Sequence, residues 1–399
     1  MPSKVKMLLI PSAGAALLAA GVATMVGAQH EMLPAPDVAF VPGHGDTSFE
    51  LFRGNRIIVP ATINGRHTPV MLDSAASTTT LDRSFARSIG LPGGRRIRGH
   101  GPGGDVDAEI LSGVTLDVAG MRFTNMTVAV MDLAPITRAI GRPINVVLGR
   151  EFFNAAVVSI DWPDKQLKVS SPATFRPNPG ASEVELGKNG PFNVIPLSVM
   201  GGPPINALFD LWSGGALTLP PTYWRGRAEL TGLRSAPTMI GGVGGLHSGR
   251  AVILPEVTLA RMSFANVPTV MADVGNNDDP TVMPNVGIGF LKQFKVALDL
   301  GRDRVYLEPR SDHPQFERDR AGVLFDLAQD RLKAVFVSAD GPAAAAGLKQ
   351  GDEIVSIDGR PVRTAYAGGV DWSKAPAGTS VVLGRADGSK VTIKLADYF

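Results

Sequence analysis

The chain has 399 residues, is 44% hydrophobic, and contains 46 Gly, 31 Pro and no Cys, with a formal charge of +2. Disulfides, a thiol nucleophile and cysteine-based zinc sites are therefore excluded. Lys4 and Lys6 account for the excess charge, so the remainder is balanced and gives no reason to expect a nucleic-acid partner.

The first element is an N-terminal segment: Lys4 and Lys6, an apolar run from Met7, then Val26-Gly27-Ala28. A charged start, an apolar core and small residues at the end describe a secretory signal, residues 1–28, cleaved before Gln29. The mature protein is then secreted, or periplasmic in a Gram-negative source. Left uncleaved, about 22 apolar residues could just span a bilayer and anchor the chain. An N-terminal extension is expected over 29–49.

From residue 50 short apolar runs alternate with Gly, Pro and Asn, as in TLDVAGMRFTNMTVAVM (115–131) and AVVSIDWPDKQLKV (156–169), so strands dominate. One short helix is expected over Asp82–Ile89. Two segments share a pattern: VMLDSAASTTTL (70–81) and ALFDLWSGGALTLP (207–220) each run from an apolar strand into a lone Asp and then small or hydroxyl residues. Neighbouring pieces recur in step. Ile57-Ile58-Val59 matches Asn193-Val194-Ile195, and Phe123-Thr124-Asn125 matches Phe264-Ala265-Asn266. Val147-Leu148-Gly149 is aligned with Gly287-Ile288-Gly289, and Ile160-Asp161 with Leu298-Asp299. The repeat divides the chain into two related units, 50–172 and 191–310, joined by a polar, turn-rich linker, 173–190.

A carboxylate delivered inward by an apolar strand is costly to bury without a partner. A second copy from the related unit supplies one: two close carboxylates cannot both ionise, and so share a proton. On these residues the chain resembles the pepsin/retropepsin superfamily of aspartic peptidases, which carry Asp-Thr/Ser-Gly once per lobe. The apolar-apolar-Gly segments of that family are matched by Val147-Leu148-Gly149 and Asn285-Val286-Gly287-Ile288-Gly289. The resemblance implies a mainly β fold of two homologous β-barrel lobes forming a cleft, with Asp73 and Asp210 as the catalytic pair. It implies support for the pair from Ser74, Ala75 and Ser213. It also implies glycine-rich flaps over the cleft, at Gly99, His100 and Gly101 and at Gly241, Gly242 and Val243.

The second motif departs from the pattern. Leu211 cannot supply the hydroxyl hydrogen bond that Ser74 can, and Trp212 stands where the family has glycine. Two functions follow: an aspartic endopeptidase acting on a peptide or protein substrate, or a degenerate relative that binds peptides without cutting them.

After a second linker, SDHPQFERDR (311–320), comes GPAAAAGLKQGDEIVSIDG (341–359). Gly341-Pro342 opens a short helix, Gly347 ends it with a positive φ, a strand spans Glu353–Ile357, and Asp358-Gly359 is a hairpin turn. This closely resembles a small α+β PDZ domain of the bacterial periplasmic type, expected over 321–399. The resemblance implies capture of a C-terminal peptide at Gly322, Val323, Leu324 and Phe325.

Other signals carry less. Gly99-x-Gly101-x-x-Gly104 follows RRIRGH rather than an apolar strand, so it is not a dinucleotide fingerprint. Arg95, Arg96 and Arg98 form a solvated face. The six histidines are scattered without metal spacing, so no metal and no cofactor are expected. Two lobes in one chain remove the need for a dimer, and a monomer is expected.

Overall fold

The computed structural model describes residues 34–41, 46–101, 104–190, 192–242, 245–273, 283–367 and 371–399, together with Leu17–Leu18 and Thr24–Met25. It is mainly β. The expected signal segment lies outside the described residues except for those two bridges. Leu17–Leu18 pairs in parallel with Ile240–Gly241, and Thr24–Met25 antiparallel with Gly99–His100. Among the described residues no helix is long and apolar enough to cross a membrane.

Two large sheets share one strand order. In the first it runs Glu50–Phe52, Arg56–Ile63, Arg66–Leu72, Val146–Leu148, Thr80–Asp82, Met121–Met131, Gly104–Val118, Arg95–Gly101. In the second it runs Gly187–Asn189, Phe192–Val199, Ile205–Phe209, Asn285–Val286, Leu217–Leu219, Met262–Ala272, Gly245–Leu259, Ser235–Gly242. Each sheet has the same crossing. The strand leading into Asp73 or Asp210 is separated from the strand that follows by a third strand inserted between them. Val146–Leu148 does this in the first half and Asn285–Val286 in the second. The chain after each aspartate must therefore arch over an inserted strand, which makes a tight loop.

Residue-level equivalence extends to backbone conformation. Asn125 and Asn266 both have φ 56°, a left-handed value that asparagine tolerates better than most residues. The ladders also correct one register. Val147 pairs with Met71 and Asn285 with Leu208, so Gly149 corresponds to Gly287, not to Gly289. Similar Gly-Ile-Gly spacing allowed a two-residue slip that sequence alone could not arbitrate.

A third sheet joins the halves. Its order is Ser182–Glu185, Arg304–Pro309, Phe294–Asp299, Val157–Asp161, Gln166–Ser170, Asp46–Ser48. The central pairing sets Val158 against Leu298 and Ile160 against Val296, and Trp162 Nε1 donates to the Phe294 carbonyl at 2.8 Å. One apolar core runs beneath all of this, including Phe152, Phe153, Val158, Phe290, Phe294 and Leu298. The stretch 173–190 does more than link, since it supplies Ser182–Glu185 to this sheet and Gly187–Asn189 to the second. The 29–49 extension also pairs, as Asp37–Phe40 with Met121–Thr124 and Asp46–Ser48 with Gln166–Lys168. The helix expected over Asp82–Ile89 forms as Arg83–Ser88, with the Asp82 carboxylate capping the Ser84 and Phe85 N–H groups.

The C-terminal unit has its own sheet, Val323–Ala328, Arg331–Val337, Glu353–Ile357, Ser380–Arg385, Lys390–Lys394, and its own apolar core. Its short helix Pro342–Ala345 begins at Gly341; Gly347 follows with φ 83°. Asp358-Gly359 takes positive φ in the expected hairpin turn.

Leu298 is fully buried where the two halves pair. Leu298→Ala is expected to cost about 2–5 kcal/mol, read as a lowered urea midpoint with an unchanged denaturant slope.

Candidate functional site

The two aspartates are fully buried and sit in loops built alike. The Asp73 N–H donates to the Leu148 carbonyl, and the Asp210 N–H to the Val286 carbonyl, both at 3.0 Å. Asp73 Oδ1 accepts from the N–H groups of Ala75 and Ala76, each at 2.9 Å. Asp210 Oδ1 accepts from those of Trp212 at 2.7 Å and Ser213 at 3.2 Å. The loops lie so close to the inserted strands that a side chain would not fit at the glycine following each. A Cβ at Gly149 would stand 2.7 Å from Thr79 N, and one at Gly287 2.4 Å from the Ser213 carbonyl oxygen.

What brings the two loops together is Ser74. Its hydroxyl donates to the Phe209 carbonyl at 3.2 Å and accepts from the Leu211 N–H at 2.9 Å, so it grips the chain on both sides of Asp210. All these groups are buried. The reciprocal bond cannot exist, because Leu211 has no hydroxyl.

Trp212 resolves differently from a simple obstruction. Its N–H performs for Asp210 what Ala75 performs for Asp73, while its indole is buried among apolar side chains of the first half. Among these are Phe52, Ile58, Met71, Ala76 and Val147. The ring bridges the halves by burial, with the Arg56 guanidinium over its face.

Two residues near the carboxylates were not singled out from sequence. Asn285 donates its amide to Asp210 Oδ2 at 2.8 Å, at the position equivalent to Val147. A polar residue breaking an otherwise apolar-apolar-Gly segment was the available signal. Arg56 is buried, with its guanidinium 6.0 Å from the Trp212 ring centre and Nη1 on the Asn55 carbonyl. Burial lowers its pKa to about 10, against the attraction of Asp210 and Asp73, so it remains a cation at neutral pH. An arginine opening an otherwise mostly apolar strand was its signal. For Asp210 the balance runs upward. Burial raises its pKa, outweighing the hydrogen bonds from Asn285, Trp212 and Ser213 and the charge of Arg56.

The remaining expected residues are placed as follows. Gly99, His100 and Gly101 end a strand whose hairpin partner begins at Gly104, with Gly101 opposite Gly104. Gly241 and Gly242 close the related hairpin opposite Leu246 and Gly245, while Val243 lies outside the described residues. Val323, Leu324 and Phe325 lie in the first strand of the C-terminal sheet rather than in a loop. Gly322 leads in at φ 72° with its N–H on Asp319 Oδ2 at 2.7 Å. That strand is at the sheet edge, and helix Ala134–Ile140 of the first half lies against it. Residues 322–325 also line a cavity that reaches Gly214 and Gly215 of the Asp210 loop. Among the described residues no group of acidic or histidine side chains could hold a metal ion.

Comparison with known families matches two parts of the chain. The family model described as aspartyl protease matches residues 59–152, the span holding Asp73, Ser74 and Gly149. The model described as PDZ domain matches residues 337–383. The chain thus carries an aspartyl-protease-like domain and a C-terminal PDZ domain, the latter implying peptide binding. No curated protein matches the chain.

Ser74→Ala is expected to leave the Phe209 carbonyl and Leu211 N–H unpaired, costing about 1–3 kcal/mol in chemical denaturation. Ser74→Thr, which keeps the hydroxyl, should restore most of that loss.

Proposed function

We propose that the two halves are duplicated pepsin/retropepsin-like lobes and that the protein is an aspartic endopeptidase. The observation that carries this reading is the Ser74 hydroxyl bound on both sides of Asp210, which sets one aspartate loop against the other. The shared strand order of the two sheets and the matched hydrogen bonds around the two aspartates support the duplication.

In this mechanism Asp73 and Asp210 share one proton. The ionised member takes a proton from a water molecule, and the protonated member gives its own to the peptide carbonyl oxygen as the water attacks. The tetrahedral centre then collapses with protonation of the leaving nitrogen. Backbone N–H groups hold Oδ1 of each carboxylate, and Asn285 holds Asp210 Oδ2, which keeps both carboxylates in place for the reacting groups. Asn285 and Arg56 supply opposite partial and full charge to an anionic pair that burial would otherwise penalise. The hairpins ending at Gly101 and Gly242 close on the peptide. The reading as a protein that binds without cutting leaned on Trp212, but the Trp212 N–H still serves Asp210. We further propose secretion or a periplasmic home, supported by the charged and apolar N-terminal sequence, and a monomeric active form.

Asp73→Asn and Asp210→Asn should each lower kcat on a peptide library by about 10²–10⁴-fold or more, and wild-type cleavage should be pepstatin-sensitive. Equal turnover by wild type and both variants would exclude the mechanism.

The raised Asp210 pKa means that the shared proton persists above the usual carboxylate range and is lost as pH rises further. Activity should therefore fall from acid toward alkaline pH. Asn285→Leu removes a donor that favours the anion, so the alkaline limb of the kcat/KM profile should move to higher pH.

A further inference from the structure

The PDZ domain is held against both halves. Arg53 of the first half pairs with Asp371 at 3.3 Å and lies 4.1 Å over the Tyr366 ring. Burial acts to raise the Asp371 carboxyl, but Arg53 and Lys374 outweigh it and hold it far below the ordinary range. Glu317 links Lys292 of the second half, at 2.8 Å, to Lys374 of the PDZ domain, at 3.6 Å. At the chain end, Tyr398 and Phe399 pack on Ala236 and Ala251 of the second hairpin. These contacts come from separate places on the domain, so it meets the two halves as a fixed wall rather than as a tethered module.

Between that wall and the two halves lies a cavity of about 190 Å³, with Phe52, Arg56 and Ile140 of the first half on its lining. Its inner side is Gly214–Thr218, the chain that runs on directly from the Asp210 loop, with Ile240 and Val270 beside it. Its outer side includes Leu324 and Phe336, a cross-strand pair of the PDZ sheet, both half-buried. The corresponding ground in the first half is filled, since Met71, Ala76 and Val147 pack with Trp212 and Ile136 in one cluster. The two sides of the aspartate pair are thus unequal: one is closed by an indole, the other opens into space walled by PDZ residues.

We propose that this cavity is a side-chain pocket of the cleft, built jointly by both halves and the PDZ domain, that takes a large apolar or aromatic side chain of a bound peptide. The proposal rests on the peptidase reading of the Asp73–Asp210 site. Size supports it, because an apolar cavity of about 150 Å³ is enough to hold benzene. Position supports it, because the pocket starts four residues after Asp210, where a peptide lying over the carboxylates must pass. Chemistry supports it, because apolar residues make up more of the lining than polar ones, with charged groups such as Arg53, Glu317, Asp371 and Lys374 also on the wall, so desolvation of an apolar side chain is a main gain. In this arrangement the PDZ domain reads the interior of the substrate and selects which peptides are presented to the aspartates.

The test uses the full chain and peptides scanned with Phe, Leu or Ala at every position, each with a free or an amidated C-terminus. One position is expected at which Phe exceeds Ala by at least about 10-fold in kcat/KM, regardless of amidation. Leu324→Trp, which fills the pocket from the PDZ side, should bring that ratio close to one. Phe336→Ala, which enlarges it, should shift the preference toward Trp. Cleavage with ratios unchanged in both variants overturns the pocket while leaving the peptidase reading intact. Calorimetric binding to Asp73→Asn protein gives the converse separation. If wild type cuts nothing, yet Phe peptides bind more tightly than Ala peptides and Leu324→Trp abolishes the difference, the pocket stands and the peptidase reading falls. Binding lost on amidation would assign recognition to the peptide terminus and overturn the proposal.

Discussion

A single hydroxyl group decides whether this molecule has a site at all. Ser74 reaches from one sheet to the backbone on either side of Asp210. The two halves are already joined by the central sheet and a continuous apolar core, but those contacts are tolerant of small shifts. A bond made in both directions by one oxygen fixes the aspartate loops far more narrowly, and positioning is what acid–base chemistry between two carboxylates demands.

Burial is the second constraint, and it is met unequally. Each carboxylate has two backbone donors on one oxygen, as the shared loop geometry dictates. Asp210 also has the Asn285 side-chain amide on the other, at a position where the first half has Val147. The hydroxyl grip is one-sided, and so is the indole that crosses between the halves. At this shared site the two halves, alike in strand order, diverge in sequence. Here Leu211, Trp212, Asn285 and Arg56 carry that divergence.

Much of this was legible in the chain. The alternating apolar runs gave the strands, and the paired Asp segments gave the two loops. Ser74 was singled out for its hydroxyl, and Gly347 and the Asp358-Gly359 turn adopt the positive φ that their residue types suggest. Other features were hidden for physical reasons. The register around Gly287 was ambiguous because two glycines two residues apart fit equally until the ladder chose one. The pairing of 182–185 was hidden because a polar edge strand has the composition of a linker. The destination of the Trp212 ring depends on what the other half presents. Likewise, nothing local to Gly322–Phe325 reveals that these residues would face the Asp210 loop across a cavity.

The central sheet also sets a timetable for synthesis. Strand Val157–Asp161 acquires its hairpin neighbour Gln166–Ser170 at once, but its other edge belongs to Phe294–Asp299. At ordinary translation speeds that partner leaves the ribosome on the order of ten seconds later. Through that interval the nascent chain carries an apolar strand with one row of backbone donors and acceptors exposed, the kind of edge on which unfinished chains associate. Pairing of the two halves through this sheet is thus deferred until most of the polypeptide exists.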